Sequence, residues 1–432
     1  MAQSGLAVVD FLVGKGARVR AVDSKPVAQL KGVGPELERL GVPFSVQSQE
    51  VLAEAGIIVI SPGVPADLAE LEAARHRGVR VVGEVEIAGE FLQGKTIGIT
   101  GANGKTTTTA LVGHILKESG IPVQVGGNIG TPVTAMIARS RPEQWNVLEL
   151  SSFQLETIDG FRAHIGACMN VTPDHLDRHH TFENYAGAKA RLFETQQAGD
   201  FAVLNADEPV TASFAKRTRA EVLWFSFRAG QGRIVADDEA ISFDGKRFLK
   251  LSDIPLRGRH NIENTMAAAG ATRMAGASLD AIAAAVRTFP GVEHRIEFVR
   301  KLGGIDFYND SKATNVDATI KAIDAFPGGL WIILGGKDKG SDYTVLREPL
   351  RRKARAALLI GAAAPKIKAH LGDAVPLIEA KTIEEAVAAA YRGAVPGDTV
   401  LLAPACASFD QFQSYEHRGR VFKELVRGLQ AK

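Results

Sequence analysis

The sequence predicts an α/β protein of three domains built on largely parallel sheets. Three observations carry that expectation. The chain has 432 residues, room for about three domains at roughly 150 residues each. Short β-branched runs alternate with amphipathic helical stretches from end to end. A glycine-rich turn joins a strand to a helix near residue 100, the arrangement that cradles phosphate.

Stretches 18–23 and 56–60 read as strands, and the second ends in Ser61-Pro62-Gly63-Val64-Pro65, which can continue neither helix nor strand. Residues 79–82 form a strand ahead of a helix over 84–92, and 96–100 a strand ahead of a helix over 105–118. Strands follow at 145–150, 165–170, 201–205 and 222–227, then Ala-rich helices over 261–275 and 279–288. After Pro290-Gly291 the rhythm restarts with strands at 296–299, 305–309, 330–335, 355–360 and 398–402. Boundaries near Gly83 and Gly291 divide the chain into 1–83, 84–291 and 292–432.

Composition excludes several classes. With 45% apolar and 23% charged residues the chain can bury a core, and 51 Lys+Arg against 49 Asp+Glu leave a formal charge of +2. That balance, without a long basic run, argues against a nucleic-acid surface or a membrane anchor. Cys168 and Cys406 form no C-x-x-C, so a reducing, cytoplasmic setting is expected. No signal-peptide layout opens the chain, and runs such as 56–60 and 330–334 are too short to span a bilayer.

The most informative stretch is Ile99-Thr100-Gly101-Ala102-Asn103-Gly104-Lys105-Thr106-Thr107. Glycines let backbone N–H groups approach phosphate oxygens, and the helix start adds favourable partial charge. Lys105 is placed for the β- and γ-phosphates and Thr106 for Mg²⁺. The strict G-x-x-x-x-G-K-[ST] spacing fails, because Ile99 stands five before Gly104. A plain helix start after a Gly turn is the bland alternative. Glu149 ends a strand, where a carboxylate beside a phosphate loop can hold Mg²⁺ or serve in a salt bridge. The run Asp174-His175-Leu176-Asp177-Arg178-His179-His180 tempts a zinc reading, but it lacks zinc-site spacing, and a solvated loop is the alternative. Lys189 on a helix is by itself an ordinary surface charge.

T-G-x-N-G-K-T resembles the phosphate loop of the Mur ligases and folylpolyglutamate synthetases, and the resemblance to the Mur ligase family extends over nearly the whole chain. It implies a Rossmann-like N-terminal domain binding a UDP-sugar, a central P-loop-type ATPase domain and a Rossmann-like C-terminal domain taking an amino acid. It implies that Gly101, Ala102, Asn103, Gly104, Lys105, Thr106, Thr107, Asn264, Arg295 and Asp310 bind ATP. The match to the family's N-x-T-x-D-H-x-D-R implies that His175 helps hold a second Mg²⁺. The resemblance further implies that Lys189 is carbamylated by CO₂ into an anionic ligand, so that Thr106, Glu149, His175 and Lys189 are expected to hold two Mg²⁺ ions. Carbamylation needs a neutral amine, which burial and nearby cations favour. The resemblance makes Lys105, Glu149, His175 and Lys189 the expected catalytic set.

Ser151-Ser152-Phe153-Gln154-Leu155-Glu156 and Pro404-Ala405-Cys406-Ala407-Ser408-Phe409-Asp410-Gln411-Phe412 resemble the D-glutamate-adding branch, although Ala403 replaces its common Ser. Lys312, Thr314, Lys337, Ser408 and Phe409 are then expected to bind D-glutamate, and Asp23, Ser24, Lys25, Ser61 and Asn128 UDP-N-acetylmuramoyl-L-alanine. Asn261 and Thr314 could instead cap helices, and the glycines of 126–130 could be turn residues. The implied reaction phosphorylates the L-alanyl carboxylate, and the amine of D-glutamate displaces phosphate as the domains close. A D-N-P-R box is absent, which argues against the diaminopimelate branch, and Asn103 stands where the L-alanine branch has His. Intact Lys105, Glu149, His175 and Lys189 weigh against a non-catalytic nucleotide binder, and α/β units alone are weak grounds for a dehydrogenase. A monomer is expected. One departure concerns the opening: related ligases begin with a strand and G-x-G-x-x-G, and only Ser4-Gly5-Leu6 matches that turn's end. The expectation is a start upstream or a rearranged first domain with free edges near 18–22 and 57–60.

Overall fold

The computed structural model describes residues 3–431. They form two compact units. The first runs to Ile254 and includes Ile262–Phe289, and the second comprises Pro255–Asn261 and Pro290 onward.

The first unit opens with the helix Gln3–Gly14, which takes in Ser4, Gly5 and Leu6. Two separate parallel pairs follow: β1 (Ala21–Asp23) with β2 (Phe44–Val46), and β3 (Ile57–Ile60) with β4 (Arg80–Gly83). Among the described residues no strand lies between the pairs, so each keeps free edges, and each has its own small core. Val9, Ala21, Val33 and Leu37 pack under the first, while Leu52, Ile58, Ile60 and Leu71 pack under the second.

Nine strands make the large sheet of this unit. They are β5 (Lys95–Thr100), β6 (Val123–Gly127), β7 (Trp145–Glu149), β8 (Ile165–Cys168), β9 (Phe201–Asn205), β10 (Glu221–Ser226), β11 (Ile234–Ala236), β12 (Ala240–Phe243) and β13 (Lys246–Lys250). Their order is β13-β12-β11-β10-β9-β8-β5-β7-β6. β5 has no exposed apolar position and sits between β7 and β8, where the order reverses. In open parallel sheets ligands bind outside the strand ends at such a point. Two expectations need correction here. Gly126 and Gly127 end β6 rather than form a loop, and a Cβ on Gly127 (φ 106°) would run into the Glu149 carbonyl, so only glycine lets β6 close on β7. The strand–helix rhythm also breaks at β11–β13, an antiparallel extension. Its second turn is Asp244-Gly245, both with positive φ, a hairpin signal in plain sight in the sequence.

The second unit carries β14 (Glu297–Leu302), β15 (Ile305–Asn309), β16 (Leu330–Gly335), β17 (Ala354–Ile360), β18 (Leu377–Lys381) and β19 (Thr399–Leu402). Their order is β14-β15-β19-β16-β17-β18, parallel except for the β14–β15 hairpin. The C-terminal ends of β15, β19 and β16 therefore stand side by side and feed the loops 310–315, 403–409 and 336–340. No helix among the described residues is long and apolar enough to cross a membrane. Both cysteines are free and buried.

Candidate active site

The phosphate loop leaves β5 at Thr100 and enters the helix Lys105–Glu118, with Gly104 in the left-handed region (φ 88°). A Cβ on Gly104 would collide with the side chain of Asn264, so glycine is what allows this contact. Asn170 clamps the loop from β8's end. It accepts from Asn103 N through its Oδ1 at 2.8 Å and from Ala102 N through its carbonyl at 2.8 Å, and its Nδ2 donates to Asn103 O at 3.2 Å. In the sequence Asn170 stands out only as the first position of a motif, with nothing nearby to mark it as a clamp.

Two ammonium groups meet on this loop. Lys105 Nζ donates to the carbonyls of Gly101 and Ala102, each at 2.9 Å, and Lys189 Nζ donates to the same Gly101 carbonyl at 2.8 Å. Lys189 is 1% exposed, so it is no surface charge. Burial first, and then the neighbouring Lys105, bring its pKa down to about 7, against the pull of Glu149 and Asp174. Near neutral pH a large fraction of its amine is therefore uncharged. The amine also lies 4.6 Å from the centre of the Tyr185 ring.

Glu149 ends β7 and is 2% exposed. Its Oε1 accepts from Asn128 Nδ2 at 2.8 Å, while its buried Oε2 has no hydrogen-bond partner among the described residues. The structure thus joins Asn128 to Glu149 directly. Such an orphaned carboxylate oxygen beside the phosphate loop fits a bound cation. Thr106 is buried in the first turn of the helix, and the next hydroxyl, Thr107 Oγ1, is buried with no hydrogen-bond partner among the described residues. His175 stands further out, its side chain 49% exposed and its backbone left-handed (φ 52°), with its ring against Phe153 at 4.9 Å. Among the described residues no three of His, Cys, Asp and Glu gather as a metal cage. A set built on a hydroxyl and a modified lysine would not form one.

Residues 178–180 tie this region to the loops after β3. Arg178 donates to Val64 O at 2.7 Å and pairs with Glu156. His179 stacks on Phe153 and meets Ser152 Oγ at 3.0 Å, and His180 reaches Asp67 at 3.3 Å. Ser61 belongs to this loop, and Val64 N closes back on its carbonyl at 2.9 Å. Asp23 ends β1 and accepts from Lys25 N at 3.0 Å, with Ser24 and Lys25 exposed.

In the second unit the three loops are stitched by backbone bonds. Ala405 N donates to Ala313 O at 2.9 Å, Gly335 N to Pro404 O at 2.8 Å and Lys337 N to Ala407 O at 2.8 Å. Ala405 holds φ 60°, strain that the stitching maintains. The side chains of Lys337 and Lys339 are exposed on either side of Asp338. Asp338 itself accepts from Lys366 and Tyr343, each at 2.8 Å, and these bonds pull its pKa down to about 2. Ser408 is buried and Phe409 is 67% exposed. Lys312 Nζ lies 5.6 Å from the Tyr415 ring centre. Thr314 is not the cap of the helix Val316–Asp324, since Asn315 accepts from Ala318 N instead. Asn261 likewise lies inside the helix Arg259–Met274 and donates to Arg257 O at 2.7 Å. Arg295 is flanked by two left-handed residues, His294 (φ 65°) and Ile296 (φ 44°), and its buried Nε has no hydrogen-bond partner among the described residues. Asp310 lies close by, its pKa pushed up to about 6 by burial against the pull of Arg295.

Comparison with known proteins bears on this geometry. Three family profiles match: the MurD-like N-terminal domain of Mur ligases over 1–83, the Mur ligase middle domain over 99–272, and the Mur ligase glutamate ligase domain over 294–406. A protein of Solibacter usitatus named UDP-N-acetylmuramoylalanine--D-glutamate ligase is 64% identical over 434 residues, spanning 100% of this chain and 97% of that one. One of the same name from Koribacter versatilis is 50% identical, spanning 99% and 96%. Among solved structures, a pseudomurein peptide ligase type C from Methanothermus fervidus matches with a TM-score of 0.61 at 19% identity, covering 99% of this chain and 98% of that one. The UDP-N-acetylmuramate-alanine ligase of Thermotoga maritima matches with a TM-score of 0.61 at 18% identity, covering 98% and 97%. At those identities the likeness is one of fold.

Proposed function

The chain belongs to the Mur ligase family, and from that premise we propose that it joins D-glutamate to the L-alanyl carboxylate of UDP-N-acetylmuramoyl-L-alanine, driven by ATP, in peptidoglycan precursor synthesis. The observation that carries the chemistry is the convergence of Lys105 and buried Lys189 on one carbonyl, beside an unpartnered oxygen of Glu149. A charged Lys105, a second amine that can convert to an anionic oxygen ligand and a carboxylate oxygen without a partner among the described residues suit a polyphosphate with its counter-ion.

An oxygen of the alanyl carboxylate attacks the γ-phosphorus, the bond to the β-phosphate oxygen breaks, and ADP leaves. The D-glutamate amine then adds to the acyl-phosphate carbonyl, loses a proton, and inorganic phosphate departs with the C–O bonding pair. Lys105 exchanges its two carbonyl partners for phosphate oxygens, which gain more from a charged donor than a neutral carbonyl does. Asn170 keeps the loop in shape while that exchange occurs. Thr106, Glu149, His175 and Lys189 as its carbamate are the residues suited to hold Mg²⁺, which when bound screens the charge of the transferring phosphoryl group. The neutral fraction of Lys189 supports the carbamate, because CO₂ adds only to the free amine. Lys312, Thr314, Lys337 and Ser408 receive the amino acid at the ends of β15, β16 and β19.

Phosphate release measured with UDP-N-acetylmuramoyl-L-alanine and each amino acid in turn tests this reading. D-glutamate should support turnover, while L-glutamate, L-lysine and diaminopimelate should not. Equal turnover with any of the latter overturns it.

A further inference from the structure

Arg418 is fully buried on the helix Tyr415–Gly428, and the reaction just described leaves it unused. Its guanidinium touches all three amino-acid loops. Nε donates to Ser311 Oγ at 2.9 Å, Nη2 to Ser311 O at 2.8 Å and Nη1 to Cys406 O at 3.2 Å. Ser311 Oγ donates its own proton to Tyr415 O at 2.8 Å. The third loop abuts the guanidinium through Gly336, where a Cβ would stand 3.2 Å from Nη1.

All these acceptors are neutral. Among the described residues no carboxylate pairs with Arg418; Asp410 acts on it only through its field and is itself engaged by Ala362 N at 2.9 Å. Buried charges in proteins are usually paired, because desolvation is costly. A lone permanent cation beneath a pocket gives it a positive potential that a dry interior scarcely screens. Arginine is suited to this position because it stays charged where a lysine would give up its proton.

We propose that Arg418 is the specificity-determining cation of the amino-acid pocket, imposing a requirement for an anionic side chain from beneath while it holds the three loops in register. This rests on the reading of the second unit's loops as the D-glutamate site. Arg418 acts through the potential and through the loops, so it is a positioning residue rather than a catalytic one.

The test crosses the charge of the protein with the charge of the substrate. Wild type, Arg418→Gln and Arg418→Lys are assayed with D-glutamate and with its neutral isostere D-glutamine, and KM is recorded for ATP and the UDP-sugar. Arg418→Gln should lower the ratio of kcat/KM for D-glutamate over D-glutamine by about 10- to 100-fold, with the other two KM values within about threefold of wild type. Arg418→Lys should behave like Arg418→Gln near neutral pH, because a lysine buried there gives up its proton, and should regain part of the ratio as the pH is lowered. Equal losses for both amino acids in Arg418→Gln would reduce Arg418 to a scaffold and overturn the proposal. Should Arg418→Gln fail to fold, a ratio in Arg418→Lys that stays at the wild-type value across the pH range overturns it equally. Failure of the wild type to use D-glutamate at all is a separate result, and it strikes the functional reading instead.

Discussion

The phosphate loop and the amino-acid loops both lie at the ends of parallel strands, yet they treat buried positive charge in opposite ways. In the first unit the buried cation is Lys189, whose pKa is brought down to about 7 by burial and by Lys105. In the second it is Arg418, which burial brings down only to about 10, so it stays charged at every physiological pH. A lysine under such pressure becomes a neutral amine, open to chemistry, whereas an arginine remains a fixed charge. Residue type therefore follows chemical role, with lysine where the group must be converted and arginine where it must not change.

The largest expected effect breaks the comparison at Lys189. Lys189→Ala should lower kcat on the order of 10²–10³-fold, as loss of a group beside transferring charge does, and added formate or acetate should restore part of it. Lys189→Arg should be equally inactive but refractory to rescue, because the guanidinium blocks the place a carboxylate must take. Near-native turnover in Lys189→Ala would remove the lysine from the mechanism.

Next comes the exposed charge of the other region. Lys337→Ala should raise the D-glutamate KM by about 10- to 100-fold, the loss of one charge-assisted contact worth roughly 1.5–3 kcal/mol, and leave the KM for ATP alone. Lys339→Ala, measured alongside, reports on the lysine at the other side of Asp338. Equal shifts for ATP and D-glutamate in Lys337→Ala would sink its assignment.

A smaller effect concerns stability and sharpens the contrast with Arg418. Because the pKa of Lys189 is depressed to about 7 from 10.5, the unfolded chain binds more protons than the folded one between those values. The group's contribution to stability therefore rises with pH across that window, and its penalty is fully present below it. In bicarbonate-free buffer, Lys189→Met should be more stable than wild type by about 1–3 kcal/mol at pH 7, with the gap closing toward pH 10. A pH-independent gap in melting temperature would contradict the buried, convertible amine.

The smallest effect is expected where no charge is altered. Tyr343 links two amino-acid loops, its hydroxyl donating to Asp338 at 2.8 Å and lying 3.0 Å from Cys406 Sγ. Tyr343→Phe should cost about 0.5–1.5 kcal/mol in stability and shift the D-glutamate KM only a few-fold. A loss as large as that from Lys337→Ala would show that neutral ties govern the pocket as much as charge does.

Regular elements made the phosphate side legible. Lys105 starts a helix and Glu149 ends a strand, positions that periodicity and glycine punctuation mark locally. The amino-acid side hid more of its parts. Arg418 reads as one more polar position on an amphipathic helix until Ser311, 107 positions away in the chain, and the Cys406 carbonyl are brought onto its guanidinium. Asn170 is similar, because its role is defined by the backbone of residues 102 and 103, some 67 positions away. Local rules also left a choice open that the structure closes, since Asn315 caps the helix and Thr314, the bland alternative for that role, does not.

By itself, then, the sequence determined the α/β class, the alternation of strands and helices, the phosphate loop and the motifs that tie the chain to its family. These follow from hydrophobic period, glycine freedom and helix-start chemistry, which act over a few residues. Only the tertiary structure decided that each of the two early strand pairs packs on a small core of its own, that Lys189 is buried against the carbonyl that Lys105 also bonds, and that Arg418 is buried against neutral acceptors with no carboxylate partner among the described residues. The reason is physical: burial and proximity set charge state and pairing, and both arise from contacts between residues that the chain keeps far apart.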